Sequence, residues 1–391
     1  MKPERFAIEI PQTKLDDLRR RLDQVAWAPE IANADWRYGT SGRYLRELVA
    51  FWRDGYDWRA HEKAMNAYEH YRVRIDGIPI HFMRVPGQGP APIPLVLTHG
   101  WPWTFWDFRK VIGPLSDPGA HGGNPRDAFE LIVPSLPGYA FSTPLEKTGV
   151  NWCTTADLWL KLMREALGFE RFAAHGGDWG ALVTLQLGYK YPEALIGIHS
   201  THPFPLPPFV GERPWSMAEA TAALTAGTTD HAAALAWEKR FVSHVAVHML
   251  DPQTLAFALH DSPVGLASWL VERRRSWSDC GGDVERRFSK DDLLTSISLY
   301  WLTDSFASSI RYYAEAPNSG WKPLRNSLPA IPTPTGLSLF RPDLPPGSRD
   351  WMRDYFNLKL LREHDSGGHF APAENPEAVI TDLRDTFRPL R

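Results

Sequence analysis

The stretch Arg171-Phe172-Ala173-Ala174-His175-Gly176-Gly177-Asp178-Trp179-Gly180-Ala181-Leu182-Val183-Thr184 constrains this chain more than any other. It reads as a short buried strand, a tight glycine-rich turn and an apolar helix. One carboxylate, Asp178, sits at the tip, with glycine at positions −2, −1 and +2. This is the small-x-nucleophile-x-small frame of a strand-to-helix elbow, where bulky side chains would clash and glycine tolerates strained dihedrals. The centre is Asp where Ser is more familiar. A carboxylate attacks without deprotonation, but it leaves an ester that another group must hydrolyse. Asp before a helix is also favoured simply as an N-cap. The elbow alone therefore leaves cap and nucleophile both open.

Bulk properties narrow the classes. At 391 residues the chain suits one large domain with insertions, or two to three units. With 43% hydrophobic and 23% charged residues it can bury a sizeable core and is not disordered. A net charge of −3 gives no reason to expect nucleic acid or an anionic membrane surface as a partner. The two cysteines, Cys153 and Cys280, exclude a disulfide framework and a Cys-rich zinc site, and they suit a reducing cytoplasm. Ile8-Glu9-Ile10-Pro11 follows the first residues in place of a signal-like apolar run. No stretch approaches the roughly 18 apolar residues of a membrane span. The expectation is a soluble, cytoplasmic protein.

Four segments follow from the patterning. Residues 1–70 read as a helical extension that packs on the rest: Thr13-Lys14-Leu15-Asp16 has capping-box spacing, and Leu15, Leu18, Leu22 and Val25 recur at helical intervals. Residues 71–204 read as the first part of an α/β core. Tyr71–Ile75 and Ile78–Met83 flank an Asp76-Gly77 hairpin turn; apolar strands then end at His99 and Pro134, and a helix from Thr155 to Leu167 leads into the elbow. Apolar strands alternating with helices argue for a mostly parallel sheet with its chemistry at the carboxyl ends of the strands. Pro203, Pro205, Pro207 and Pro208 mark a boundary. Residues 205–323 then read as an inserted helical lid, with an Ala-rich piece at 217–238 and a helix starting at Ser289-Lys290-Asp291-Asp292. The core resumes over 324–391, with a strand at Pro334–Phe340 and a closing helix capped by Asn375-Pro376.

A covalent ester needs a base to drive water into it, and His oriented by a second carboxylate is the natural choice near neutral pH. Asp343 follows the strand ending at Phe340, and His369 lies in a Gly367-Gly368 loop before the last helix. The order Asp178, Asp343, His369 is the nucleophile–acid–His order of α/β-hydrolases. The Trp179 N–H at the helix start and the Trp101 N–H in the loop after an early core strand can together form an oxyanion hole. His99-Gly100-Trp101-Pro102 also reads more plainly as a tight turn with a packed Trp.

Together these motifs resemble the microsomal-type epoxide hydrolases of the α/β-hydrolase superfamily over essentially the whole chain. The residues carrying the resemblance are Ile8-Glu9-Ile10-Pro11, His99-Gly100-Trp101-Pro102, Pro134 to Ser142, Gly176-Gly177-Asp178-Trp179-Gly180, Asp261 to Ala267, Leu299-Tyr300-Trp301 and His369-Phe370-Ala371. The resemblance implies an epoxide hydrolase that takes a small apolar epoxide and water and needs no cofactor or metal, with a homodimer left open. It implies that Asp178 attacks an oxirane carbon, that His369 and an acid activate water, and that lid tyrosines donate to the epoxide oxygen. Phe340-Arg341-Pro342-Asp343 fits the family acid with Asp for Glu, and Asp350 is a weaker rival. Arg311-Tyr312-Tyr313 points to Tyr313, with Tyr312 as the fallback. The second lid tyrosine falls on His244, a departure that implies altered pH dependence, a related reaction or lost activity. Trp103-Thr104 stands where the family usually has Gly-Ser, and the added indole near the pocket mouth means that the family's substrate preference does not carry over; His99, Pro102, Trp103, Tyr312 and His244 are the expected substrate-pocket residues. A haloalkane dehalogenase-like hydrolase, which also uses an elbow Asp followed by Trp, is the alternative enzyme. A catalytically silent ligand-binding member is the alternative outside catalysis.

Overall fold

Among the described residues nine strands form one sheet: β1 (Glu4–Phe6), β2 (Glu69–Ile75), β3 (Ile78–Val85), β4 (Ile93–Thr98), β5 (Phe129–Pro134), β6 (Phe172–Gly176), β7 (Leu195–Ser200), β8 (Ile331–Phe340) and β9 (Phe356–His364). The structure, a computed structural model, describes residues 1–209, 214–216 and 231–391. The strand order is β1-β2-β3-β5-β4-β6-β7-β8-β9. The pairings β1/β2, β2/β3 and β3/β5 are antiparallel, and those from β5 across to β9 are parallel. The β2–β3 hairpin turns at Asp76 (φ 51°) and Gly77 (φ 78°), the pair of positive dihedrals that an Asp-Gly turn supplies. Parallel strands are covered on both faces, which is why β6 is buried at every residue and β4 from Leu95 to Thr98. The covering helices include Trp152–Lys161, Trp179–Lys190 and Pro376–Phe387.

Register sets the site. Thr98 of β4 pairs with Gly176 of β6, and Gly176 pairs with Ser200 of β7. Three parallel strands therefore end level, and the loops after them start side by side. Strand β8 is paired to β7 through Ser200–Leu337 and runs on to Phe340, so its loop begins higher and can arch back over its neighbours.

The first 65 residues supply helices Gln12–Asp23, Gly42–Asp54 and Trp58–Met65, together with the edge strand β1. That strand has only three residues, too few to show a period in the sequence. Thr13 is not the cap that its spacing suggests. The helix starts at Gln12 with Pro11 in the N-cap position, and proline carries no side-chain acceptor to cap it. This extension grips the lid: Lys14 Nζ donates to Leu302 O (3.0 Å), Arg21 Nη1 to Asp261 O (2.7 Å) and Trp52 Nε1 to Ser298 Oγ (3.1 Å).

The lid lies between β7 and β8, with helices His231–Phe241, Ser243–Leu250, Pro252–Asp261, Pro263–Trp277, Lys290–Leu302 and Phe306–Glu315. Residues 217–230 of the Ala-rich piece fall outside the described residues. The capping box at Ser289 and Asp292 forms as its spacing predicts. One buried ion pair fastens the lid to the core: Arg274 Nη1 lies 2.7 Å from Asp107 Oδ1, each side chain 4% exposed. Arg274 Nη2 also donates to Pro102 O at 3.1 Å. No helix among the described residues is long and apolar enough to cross a membrane.

Candidate active site

The turn from β6 into helix Trp179–Lys190 holds Asp178 at φ 53°, ψ −125°, a region that costs a non-glycine residue about 1–3 kcal/mol. Its neighbours over-determine it. A Cβ on Gly180 would lie 2.0 Å from Thr98 O, so the glycine lets the helix start rest directly on the end of β4. A Cβ on Gly100 would lie 2.3 Å from both Cβ and Oδ1 of Asp178, so the loop after β4 seats its backbone on the carboxylate. From that loop the Trp101 N–H donates to Asp178 Oδ1 at 2.8 Å. The Asp178 side chain makes no cap hydrogen bond to its own helix. Its second oxygen, Oδ2, faces His369.

His369 Nε2 is 3.3 Å from Asp178 Oδ2 but is not aligned to hydrogen-bond it. On the other side of the ring, Nδ1 lies 3.2 Å and 3.1 Å from the two oxygens of Asp343. Asp343 is buried at the end of a short turn after β8. Asp350, by contrast, is exposed and paired with Ser348 Oγ at 2.8 Å. Burial opposes ionisation of Asp343, but the His369 charge and hydrogen bonds from His202 and His369 outweigh it and hold the carboxyl down at about 2. Burial likewise opposes charge on His369, and the flanking carboxylates Asp343 and Asp178 overcome it, pushing the imidazole up to about 10.

A second histidine completes the cluster. His202 stands two residues beyond Ser200, as Asp178 stands two beyond its sheet partner Gly176. Its Nδ1 accepts the backbone N–H of Asp178 at 3.0 Å, and its Nε2 lies 2.7 Å from Asp343 Oδ2. Since Nδ1 accepts, the ring proton is on Nε2 and is donated to Asp343. His202 Nε2 and His369 Nδ1, 3.1 Å apart, thus share an acceptor and do not bond each other. His202, Asp343 and His369 have donor spacing close enough for a metal ion. The tautomer does not fit one: a metal on His202 Nε2 would leave Nδ1 needing the proton that its bond to Asp178 N–H rules out. The strand-end rule that singled out His99, Pro134 and Asp178 would also have found His202, at the end of β7.

These groups open onto an apolar cavity of about 140 Å³, walled by Trp179, Phe204, Phe209, Phe241 and Trp277 among the described residues. Tyr313 and His244 face Asp178 across it, and the Tyr313 hydroxyl is 3.1 Å from His244 Nε2. Burial pushes Tyr313 well above its usual range, so it keeps its proton. Burial also holds His244 well below 6.5, so it is neutral. Tyr312 points elsewhere: adjacent helical residues project about 100° apart, and its hydroxyl bonds Thr155 Oγ1 at 2.8 Å. His99, Pro102 and Trp103 lie behind the cavity wall. His99 is spent on fixing the loop, with Nδ1 at 2.9 Å from Gly100 O and Nε2 accepting Leu136 N–H at 3.0 Å. Pro102 O accepts from Arg274, and the fully buried Trp103 sets its ring edge-on to His369, 5.8 Å between centroids.

A strained carboxylate with one oxygen in an N–H cradle, the other facing a His–Asp pair, and a hydroxyl across an apolar cavity suits attack on an electrophilic carbon followed by ester hydrolysis. The family model described as epoxide hydrolase N terminus matches residues 3–108, and the alpha/beta hydrolase fold model matches residues 93–321. Epoxide hydrolase 1 of Oryctolagus cuniculus is 34% identical, covering 97% of this chain and 87% of that one. The structure of an Aspergillus niger epoxide hydrolase superposes with a TM-score of 0.80 at 29% identity, over 100% of this chain and 97% of that one. A juvenile hormone epoxide hydrolase from Bombyx mori superposes with a TM-score of 0.81 at 25% identity, over 100% and 94%. The chain belongs to the epoxide hydrolase family, on the alpha/beta hydrolase fold.

Proposed function

We propose that this protein opens a small apolar epoxide to a vicinal diol in two chemical steps through an ester on Asp178. In the first, Asp178 Oδ2 bonds to an oxirane carbon as the ring C–O bond breaks, and the oxygen takes the Tyr313 proton. His244, as its Nε2–H tautomer, donates to the Tyr313 oxygen and leaves the phenol proton free to aim at the substrate. Alkylation removes the Asp178 charge, one of the two that hold the proton on His369. The imidazolium proton then becomes available to the tyrosinate, and His369 becomes a base only once the ester exists.

In the second step His369 takes a proton from water as the water oxygen bonds to Cγ of Asp178. The oxyanion develops on Oδ1, already 2.8 Å from the Trp101 N–H, and the Trp179 N–H at the helix start is the second donor this reading assigns to it. The Cγ–Oδ2 bond then breaks, and the departing alkoxide oxygen takes the second water proton from the new Cγ–OH, so the diol leaves with Oδ2, Asp178 is again a carboxylate and His369 keeps the first proton. The observation that carries this reading is the divided carboxylate, Oδ1 on an N–H donor and Oδ2 facing the base over an apolar cavity. Asp178→Ala assayed for diol formation over aryl and alkyl epoxides tests it: turnover is expected to vanish. Retained turnover, or halide release from haloalkanes by a parent enzyme inert to epoxides, would overturn it.

A further inference from the structure

The resting triad accounts for three side chains, yet the second imidazole is bonded into it at both ring nitrogens. We propose that His202 is a positioning residue that holds Asp343 in line with His369 for hydrolysis of the ester. The inference rests on the two-step reading above and extends it to a residue that touches no reacting atom.

Asp343 Oδ2 receives two N–H groups, from His202 at 2.7 Å and His369 at 3.1 Å, and the shorter belongs to His202. Without His202, the carboxylate would be steered only by the ring it is meant to orient. The donation also favours ionised Asp343, and it is that charge which stabilises the imidazolium formed when water is deprotonated. At its other nitrogen His202 accepts the N–H of Asp178, a strained-turn amide that bonds nowhere else among the described residues. One rigid ring thus sets the distance between elbow and acid. A bland alternative is a buried core histidine with satisfied nitrogens. Against it, His202 faces the cavity, and both partners belong to the reacting constellation.

The two hydrogen bonds can be separated by substitution. In His202→Asn the side-chain oxygen can stand where Nδ1 stood, keeping the elbow bond and losing the donor to Asp343. In His202→Gln the amide nitrogen can stand where Nε2 stood, keeping the donor to Asp343. Single-turnover quench of an aryl epoxide, followed by protein mass, reads alkylation and ester hydrolysis separately. For His202→Asn hydrolysis is expected to slow about 10- to 100-fold, the scale of a hydrogen bond to a charged group, with alkylation within about threefold. For His202→Gln hydrolysis is expected within about fivefold of the parent. An Asn variant that slows both steps equally, or two variants with the same hydrolysis rate, overturns the role of His202. Absence of any adduct in the parent overturns the two-step reading itself. Should the Asn variant fail to fold, a folded Gln variant whose hydrolysis alone falls tenfold or more also overturns the proposal.

Discussion

Replacing Gly100 by Ala tests how tightly the loop after β4 holds the nucleophile. The new methyl would sit 2.3 Å from Cβ and Oδ1 of Asp178, whereas ordinary contact begins near 3.4 Å, so about 1 Å must be found somewhere. Asp178 has little freedom to supply it. Its backbone is already at φ 53°, and the helix behind it rests on Thr98 O through Gly180. The remaining response is separation of loop and carboxylate, which breaks the 2.8 Å bond from Trp101 N–H to Oδ1. That bond both orients Oδ2 for attack and receives the oxyanion during hydrolysis. The displacement and the lost donor are one event, worth about 100-fold as a 1 Å misplacement and about 100- to 1,000-fold as loss of one oxyanion donor. We expect kcat for diol formation to fall about 100- to 1,000-fold with KM changed little, since Gly100 does not line the cavity. Overpacking should lower stability by about 1–3 kcal/mol, so circular dichroism should show a folded protein with Tm down a few degrees. A kcat within threefold of the parent would refute the claim that this contact sets the carboxylate.

Neighbouring tyrosines should separate cleanly. Tyr313→Phe is expected to slow alkylation at least tenfold in single-turnover kinetics, whereas Tyr312→Phe should leave kcat unchanged and cost only about 1 kcal/mol of stability through its bond to Thr155. Arg274→Met leaves Asp107 buried without its partner and should cost about 3–5 kcal/mol in denaturant unfolding, with activity lost at lower denaturant than for the parent. Burial holds His99 at about 4 and His175 at about 3, and puts His81, His199, His244 and His248 well below 6.5. Each is depressed on folding, so its contribution is intact above the unfolded value and fades as pH falls toward the folded one, by about 2 kcal/mol at pH 5 for His99 and for His175. His369 has the opposite sign, contributing fully below 6.5 and losing its contribution as pH rises toward about 10. Thermal scans should therefore show Tm dropping steeply from pH 6.5 to 4.5, and a flat acid limb would contradict neutral buried imidazoles.

The elbow was legible because its constraint is local. Three glycines within five residues have few uses other than letting a strand, a turn and a helix start touch. Asp343 and His369 were legible through chain order, which the fold preserves without any need to know distances. His202 was legible only as one more residue at a strand end, since its bonds to Asp178 and Asp343 depend on the lateral register of Thr98, Gly176 and Ser200, which places three loops side by side. Tyr312 and Tyr313 differ by one residue, and the phase of the helix decides which faces the carboxylate. His99 and Trp103 sit in the expected loop with their side chains packed behind the cavity wall, Trp103 against His369, because that loop meets the nucleophile through its backbone. Composition could not reveal the Arg274–Asp107 pair or the bonds from the first helices to the lid, since these depend on which distant surfaces meet.

The covalent step can be tested most directly by intact-protein and peptide mass spectrometry of His369→Gln exposed to an aryl epoxide. With Asp178 and its Trp101 donor in place and the base removed, one epoxide mass should accumulate per chain, on the peptide carrying Asp178, with no diol beyond the first turnover. An unmodified protein, an adduct on another residue, or diol formed at the parent rate would contradict the account.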